Sequence, residues 1–451
     1  MNGGRLAFAA MAAPHVERTR DSYAAFRVPN FGRFIVSLLA MTVGAQVQAI
    51  VVSWQIYQVT RDPLALGLVG LAEVVPYVSV ALLAGHVVDR GDRRRISLWS
   101  LSVLLAATVT LFVLALIWPV PRVVWPYYVI IAICGLARSF LQSARSPLVA
   151  ELVPRDLFAN AATWRSSTWQ LASVVGPALG GLSYAAFGAR LTFGANIILA
   201  IVALVAMRQI RHVAPARALA SASLVESLGE SWRYLRGQPV ILGALTLDMF
   251  AVFFGGATAL LPIFADRILH VGPRGLGFLQ AAPGAGAVLM AFVIAHRGPF
   301  QRAGRTLLTV VTIFGVCMIG FALSRTFALS FAFLFIGGAA DNISAVIRST
   351  LLQILVPQEL LGRVSSVNAI FIGSSNELGA FESGVAAKLL GVVPSVVFGG
   401  GMTLLIVAMI TWRVPSLRRL REIALESETL VDSGVSASGP VNASERSTAV
   451  Q

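Results

Sequence analysis

A few ionisable side chains interrupt long apolar segments, where each is costly unless it is paired or hydrated. Glu73, Asp248 and Asp341 stand deepest in these segments. A carboxylate in such a place can bind a small molecule or exchange a proton. These three acids and Gln48 are therefore candidates for binding a small molecule or a proton. Asp248 is the leading candidate for the proton, because the surrounding stretch ALTLDMFAVFF contains no other charge.

The alternative is a structural role, in which a buried charge is permanently paired. Asp248 would then be neutralised by Arg138 or by another inward-facing cation. The remaining buried charges are predicted to be structural or to control gating: Arg145, Arg348, Glu377 and Glu382. The two glutamates would neutralise arginines on the tenth helix or in the connections between helices.

The elements that carry these residues are predicted to be transmembrane helices. Of 451 residues, 57% are hydrophobic and only 12% are charged, whereas soluble domains carry about 25% charged residues. Twelve apolar blocks approach the ~20 residues needed to cross a hydrocarbon core of about 30 Å. We expect an all-α membrane protein rather than a large soluble helical protein. Both cysteines fall inside apolar blocks, and no spacing indicates a metal site or a cofactor.

The arginines predict the orientation of the chain. The net charge is +14 with a single lysine, but the arginines cluster in alternate short connections instead of forming the basic face that nucleic acid would require. One set of connections contains Arg90, Arg93, Arg94, Arg95, Arg155, Arg208, Arg211, Arg302, Arg305, Arg363 and Arg413. The opposite set contains mostly single arginines, such as Arg61 and Arg190. The positive-inside rule places the first set and both termini in the cytoplasm, which predicts a multi-pass protein of the inner (plasma) membrane.

The chain is predicted to consist of two related halves. Residues 135–181 align with 338–384 without a gap, so that Gly135 meets Gly338 and Arg145 meets Arg348. The fourth and fifth helices therefore recur as the tenth and eleventh. Two six-helix bundles related by a pseudo-twofold axis along the membrane normal are expected. The predicted organisation is an amino-terminal segment 1–33, a first bundle 34–210, a connection 211–238, a second bundle 239–413 and a largely disordered cytoplasmic tail 414–451. Helices five, six and seven are predicted at 161–186, 190–210 and 239–266.

The connection after the second helix reads GHVVDRGDRRR and resembles a signature of the major facilitator superfamily of transporters. The resemblance implies a gate at the cytoplasmic side, formed by Gly85, Asp89, Arg90, Arg93 and Arg94, with Glu151 as the nearest acidic partner. Gly85 would permit close contact between helices, and the arginines would pair with acids when this side closes. Asp92 stands where the superfamily has a glycine, so the turn is expected to differ.

The fifth helix carries a second motif, GPALGG, which resembles the exporter-associated sequence of the superfamily. Its residues are Gly176, Pro177, Gly180 and Gly181. Three longer stretches, 63–90, 255–269 and 338–384, resemble the branch of the superfamily that is similar to the enterobactin exporter. Ordinary packing of small residues is the alternative for the motif.

The resemblance implies a secondary active exporter of a lipophilic drug, siderophore or metabolite, with protons as a possible coupling ion. No phosphate-binding loop is present, so an ion gradient or the gradient of the cargo must supply the energy. Uptake or uniport of a small solute, and a non-transporting receptor or scaffold with the same fold, are the alternatives. Membrane lipids and a small-molecule substrate are the expected partners, with no nucleic acid and no enzymatic activity.

Overall fold

The computed structural model describes residues 21–118, 123–211, 229, 233–255, 257–296, 300 and 302–420. The predicted segment 1–33 is described only from residue 21. Most of the predicted connection 211–238 and of the predicted tail 414–451 lies outside the described residues.

Helices of membrane-spanning length succeed one another along both halves. The first half contains α1 (Pro29–Thr60), α2 (Pro63–Arg90), α3 (Arg93–Ile117), α4 (Trp125–Leu152) and the segment Phe158–Arg208. The second half contains α7 (Pro239–Phe254), α8 (Gly272–Ala295), α9 (Ala303–Leu323), α10 (Phe327–Leu355), α11 (Gln358–Leu390) and α12 (Val392–Arg413), followed by the short α13 (Pro415–Arg419). Among the described residues, 10 spans are long and apolar enough to cross a membrane. The fold crosses twelve times, because Phe158–Arg208 crosses twice and the more polar α11 crosses as well.

The segment Phe158–Arg208 contains two helices that meet at Gly188. Gly188 has a φ of 70°, a backbone conformation that glycine adopts without the steric cost of a Cβ atom. Residues 158–187 form α5 and residues 189–208 form α6, which confirms the two helices predicted there. Beyond the break, Arg190 donates hydrogen bonds to the Ala115 and Leu116 carbonyls at 3.0 and 3.1 Å. The guanidinium thereby satisfies carbonyls at the end of α3 that have no intrahelical partner.

The seventh crossing, predicted at 239–266, is confirmed as the span Pro239–Ile268, but it is not one regular helix throughout. α7 ends at Phe254, and the chain continues through a 3₁₀ turn (Ala257–Leu260), Leu261–Ile263 and a π-helical turn (Phe264–Ile268). Two adjacent glycines at 255–256 have low helix propensity. Pro262 cannot donate the backbone hydrogen bond that a regular helix requires. Such breaks within the membrane are tolerated where the backbone is buried in protein or lines a cavity.

The twelve helices form two six-helix bundles related by a pseudo-twofold axis, as predicted. In the first bundle α1 packs along α5 and α6, while α2 packs against α4. In the second bundle α8 packs against α10, and α9 packs against α10 and α12. The bundles meet mainly through two helix pairs, α2 with α11 and α5 with α8.

The apolar core shows where the bundles are joined and where they separate. We call the end that carries the arginine-dense connections the arginine-rich end, and the opposite end the arginine-poor end. Near the arginine-poor end, one core cluster contains residues of both bundles, among them Tyr57 and Phe264. Towards the arginine-rich end each bundle has its own core, with Phe31 and Leu148 in the first and Leu351 in the second. The bundles are therefore closed together at one end and apart at the other.

Candidate functional site

A cavity of about 520 Å³ lies between the two bundles. The first bundle contributes residues of α1, α2 and α4, and Trp169 of α5. The second contributes residues of α8, α11 and the broken seventh crossing, where Thr258 and Pro262 line the wall. The polar and charged lining consists of Gln46, Gln48, Ser53, Glu73, Arg138, Thr258, Gln280, Asn376 and Glu377. A space of this volume between two bundles fits a drug-sized molecule.

Three charged residues and Gln48 form the polar centre of this cavity. Arg138 of α4 forms an ion pair with Glu73 of α2, and Glu377 of α11 interacts electrostatically with both. The Gln48 side chain accepts a hydrogen bond from the Thr108 hydroxyl at 3.3 Å. The expectation that Glu377 neutralises arginines of the tenth helix or the connections was wrong, because helix α11 directs it towards the first bundle. Two predicted candidates, Glu73 and Gln48, do line the cavity.

Asp248 lies away from this centre, in a second charged cluster inside the second bundle. It forms an ion pair with Arg348 of α10, and the two residues are only 4% and 6% exposed. The prediction named Arg138 or another inward-facing cation as the partner of Asp248, and the cation is Arg348 rather than Arg138. Asp341, two helical turns before Arg348, interacts electrostatically with this pair and is exposed.

The repeat mates Arg145 and Arg348 have different partners. The Arg145 guanidinium donates a hydrogen bond to the Gln142 side chain at 3.0 Å and contacts the Met41 sulfur at 3.1 Å. Within the described part of the chain it has no carboxylate partner. Glu382, also predicted to be a structural or gating charge, has its carboxylate 3.5 Å from the Ser383 hydroxyl.

The glycines of the α5 motif bring helices into backbone contact. A Cβ atom on Gly176 would lie 2.6 Å from Gln46, and one on Gly180 would lie 3.1 Å from Val47, both in α1. A Cβ atom on Gly181 would lie 2.7 Å from the Gly277 Cα of α8. The motif thus packs α5 against its own bundle and against the other bundle.

An equivalent contact joins α2 to α11, and both contacts lie towards the arginine-poor end. A Cβ atom on Gly384 would lie 2.7 Å from the Gly67 Cα. From the Gly181 contact, α5 and α8 diverge towards the arginine-rich end, where a space of about 610 Å³ lies between residues 162–171 and 288–292. The bundles therefore contact each other at paired glycines and open beyond them.

The motif at the arginine-rich end is held within the first bundle. Arg93 pairs with Glu151, the predicted partner, at 2.5 Å. The pairing was expected on closure of this end, but it is present while the end is open. Arg94 donates a hydrogen bond to the Arg208 carbonyl at 2.6 Å. Asp92 replaces the expected glycine because its carboxylate accepts hydrogen bonds from the Arg94 and Arg95 backbone amides and caps α3.

The remaining residues of this motif are Gly85, Asp89 and Arg90, and they make few contacts in this conformation. Asp89 and Arg90 are exposed. A Cβ atom on Gly85 would meet nothing within 4 Å, so the predicted close helix contact at Gly85 is absent here. The reason is that the bundles are apart at this end.

Two ion pairs at the arginine-poor end connect the bundles, and the sequence reasoning missed them. Arg61 pairs with Asp266 after the broken crossing, and Asp62 pairs with Lys388 at the end of α11 at 2.6 Å. Partial burial raises the pKa of Asp62, but the hydrogen bonds from Lys388 and from the Leu64 backbone amide outweigh it, so the pKa lies below its usual range. The single lysine in the sequence was an available signal for this contact.

Comparison with known proteins identifies the family. The family model described as transmembrane secretion effector, within the major facilitator superfamily, matches residues 20–442. The multidrug efflux pump Tap of Mycolicibacterium fortuitum is 27% identical over 87% of this chain and 97% of its own length. The enterobactin exporter EntS of Shigella boydii is 26% identical over 89% of this chain and 94% of its own length. The resemblance to the branch containing that exporter is thereby confirmed.

Solved structures share the fold at low sequence identity. A peptide transporter POT in complex with sulfate superimposes with a TM-score of 0.67 at 13% identity, covering 89% of this chain and 99% of that one. A bacterial homologue of the human lysosomal transporter Spinster superimposes with a TM-score of 0.64 at 14% identity, covering 92% of this chain and 99% of that one. The chain belongs to the transmembrane secretion effector family and is a multi-pass membrane transporter of the major facilitator superfamily.

Proposed function

We propose that this transporter exports a lipophilic small molecule from the cytoplasm by alternating access. The observation that carries the proposal is the cavity between the bundles. The shared apolar core closes the arginine-poor end of the space between the bundles. The positive-inside rule assigns the arginine-rich end to the cytoplasm. In this conformation cargo would enter from the cytoplasm, or laterally between α5 and α8, and would be released after the bundles rock about their glycine contacts.

The relatives support export over uptake. Two proteins that align over most of their length with this chain are named an efflux pump and an exporter. The cavity wall is also mixed, with apolar residues such as Ile50, Val52 and Val69 beside amides and charges. Such a wall suits a molecule that is largely apolar and carries a few polar groups. Cargo within the range of drugs, siderophores and lipophilic metabolites fits this description.

Proton coupling is part of the proposal, and the structure changes which acid we assign to it. A coupling carboxylate must be reached by water from one side and then from the other. Asp248 is enclosed and paired with Arg348, so we now assign that pair to the stability of the second bundle. Glu73 lines the cavity and Asp341 is exposed, which makes these two acids the better candidates for coupling.

Transport by purified protein in liposomes tests the proposal. A pH gradient is imposed, and dyes, antibiotics and siderophores are screened for movement that requires both protein and gradient. Export predicts that at least one of these compounds moves towards the arginine-poor side, with orientation fixed by labelling single cysteines at each end. Protein-dependent movement only towards the arginine-rich side would establish uptake instead. The Asp248→Asn protein, if it folds, should retain gradient-driven transport, whereas Glu73→Gln or Asp341→Asn should lose its dependence on the gradient.

A further inference from the structure

The charges at the centre of the cavity do not balance. Glu73 of α2 and Glu377 of α11 are two carboxylates beside the single guanidinium of Arg138. Arg138 forms its ion pair with Glu73, so the charge of Glu377 remains without a dedicated partner. Within the described part of the chain Glu377 makes no hydrogen bond and no ion pair. The cavity therefore has one uncompensated negative charge when all three groups are ionised.

The position of Glu377 directs this charge into the space between the bundles. Residues 373, 376, 377 and 380 line the cavity and follow one face of α11 at helical spacing. A Cβ atom on Gly70 of α2 would lie 3.2 Å from a Glu377 carboxylate oxygen. The carboxylate from the second bundle thus lies against the first bundle, where a bound molecule would contact both.

Apolar and aromatic side chains form a further part of the wall. Trp169 of α5 lines the same cavity with 54% of its surface exposed. An exposed indole face attracts cations through its quadrupole, more strongly than the other aromatic rings do. Ile50, Val52 and Leu66 provide apolar surface on the first-bundle side. A small inorganic ion gains no free energy from contact with such apolar surface, whereas an organic ion can bury its hydrocarbon part against it.

We propose that the cavity binds one lipophilic organic cation per protein, with the Glu377 carboxylate as its counterion. The inference rests on the proposed export function and names the class of its cargo. A lipophilic anion of the same size would meet the uncompensated carboxylate and bind more weakly. Glu73 is the less suitable counterion, because Arg138 already neutralises it.

Two probe ions of the same shape and opposite charge test this inference. Tetraphenylphosphonium and tetraphenylborate each carry four phenyl groups around a charged centre. Binding to the full-length protein in lipid nanodiscs is measured by equilibrium dialysis and corrected with empty nanodiscs. We expect the phosphonium to bind at least about tenfold more tightly than the borate, which corresponds to about 1.4 kcal/mol. Glu377→Gln should abolish this preference, and Glu377→Asp should retain most of it.

Glu382→Gln is the matched control, because it removes the same charge from the same helix outside the cavity lining. This variant should bind tetraphenylphosphonium as the unmodified protein does. Equal affinity of the unmodified protein for the two probes would overturn the inference, as would full preference in a folded Glu377→Gln protein. Gradient-driven movement of a neutral or anionic compound without phosphonium binding would also overturn it and leave export standing. Phosphonium binding without any gradient-driven movement would instead overturn the proposed export.

Discussion

The two ion pairs at the arginine-poor end should determine how firmly the bundles are closed there. Lys388→Gln removes one pair and leaves the capping hydrogen bond from the Leu64 amide to Asp62 in place. The Asp62 and Lys388 side chains are 29% and 52% exposed, so their interaction is partly screened. A pair of this kind contributes about 0.2–1 kcal/mol. Loss of the pair should shift the ratio of open to closed molecules by up to about fivefold.

Removal of both pairs, by Lys388→Gln with Arg61→Gln, should shift the ratio by up to about thirtyfold if the contributions add. Distances between spin labels report this ratio. Trp125 of α4 and Leu389 of α11 are 65% and 77% exposed at the arginine-poor end, which makes them suitable label sites. The two buried native cysteines are first replaced by alanine. The distance distribution for this label pair should gain a longer component in the variants.

Salt and pH supply independent controls on the mechanism. The screening length falls from about 10 Å at 0.1 M salt to about 3 Å at 1 M, so high salt should reduce the difference between the variant and the unmodified protein. The pKa of Asp62 is depressed in the closed form. The stabilisation is therefore present above the usual carboxylate range and is lost as the pH falls through the depressed pKa. Lys388→Gln should remove this pH-dependent step, and Lys388→Arg should restore it. Unchanged distance distributions in the double variant would refute the idea that these two ion pairs hold the arginine-poor end closed.

Three further predictions concern packing, stability and the arginine-rich end. Gly384→Leu should open the arginine-poor end in the same spin-label assay because its side chain would meet α2 backbone, whereas Gly401→Leu, with nothing within 4 Å of its Cβ, should not. Asp248→Asn removes the ion-pair partner of the buried Arg348, which should cost about 3–5 kcal/mol and lower the unfolding temperature. An unchanged unfolding temperature would argue against the structural assignment. Asp89→Asn should favour the open arginine-rich end by about 1–3 kcal/mol, which would appear as longer spin-label distances between the arginine-rich ends of α2 and α11. Distance distributions identical to those of the unmodified protein would limit Asp89 to a role in insertion or folding.

The helices and their arrangement in two bundles were predictable because membrane insertion demands a long apolar segment for each crossing. The break in the seventh crossing was not recognised, although two glycines and Pro262 mark it in the sequence. Hydropathy averages over a whole segment and does not register where the backbone departs from helical geometry. Thr258 and Pro262 lie within this broken stretch and line the cavity.

The pairing of charges was less predictable than their burial. The sequence indicates that Asp248, Arg138 and Glu377 lie in helices, but it does not reveal which helix faces meet. The prediction therefore joined Asp248 to Arg138 as one option, whereas they lie in different bundles and have different partners. Pairs near the membrane surface, such as Arg93 with Glu151, were easier to predict because both residues lie at the arginine-rich end of adjacent helices.

The two halves of the internal repeat carry different charges at equivalent positions. Arg138 and Asp341 are repeat mates, as are Arg145 and Arg348, so equivalent positions carry opposite charge in one case and the same charge in the other. In the first bundle Arg138 is paired and Arg145 has no carboxylate partner within the described residues, whereas in the second bundle Arg348 is paired and Asp341 is exposed. Because the repeats have diverged at these positions, the repeat relation alone does not predict how either bundle pairs its buried charges.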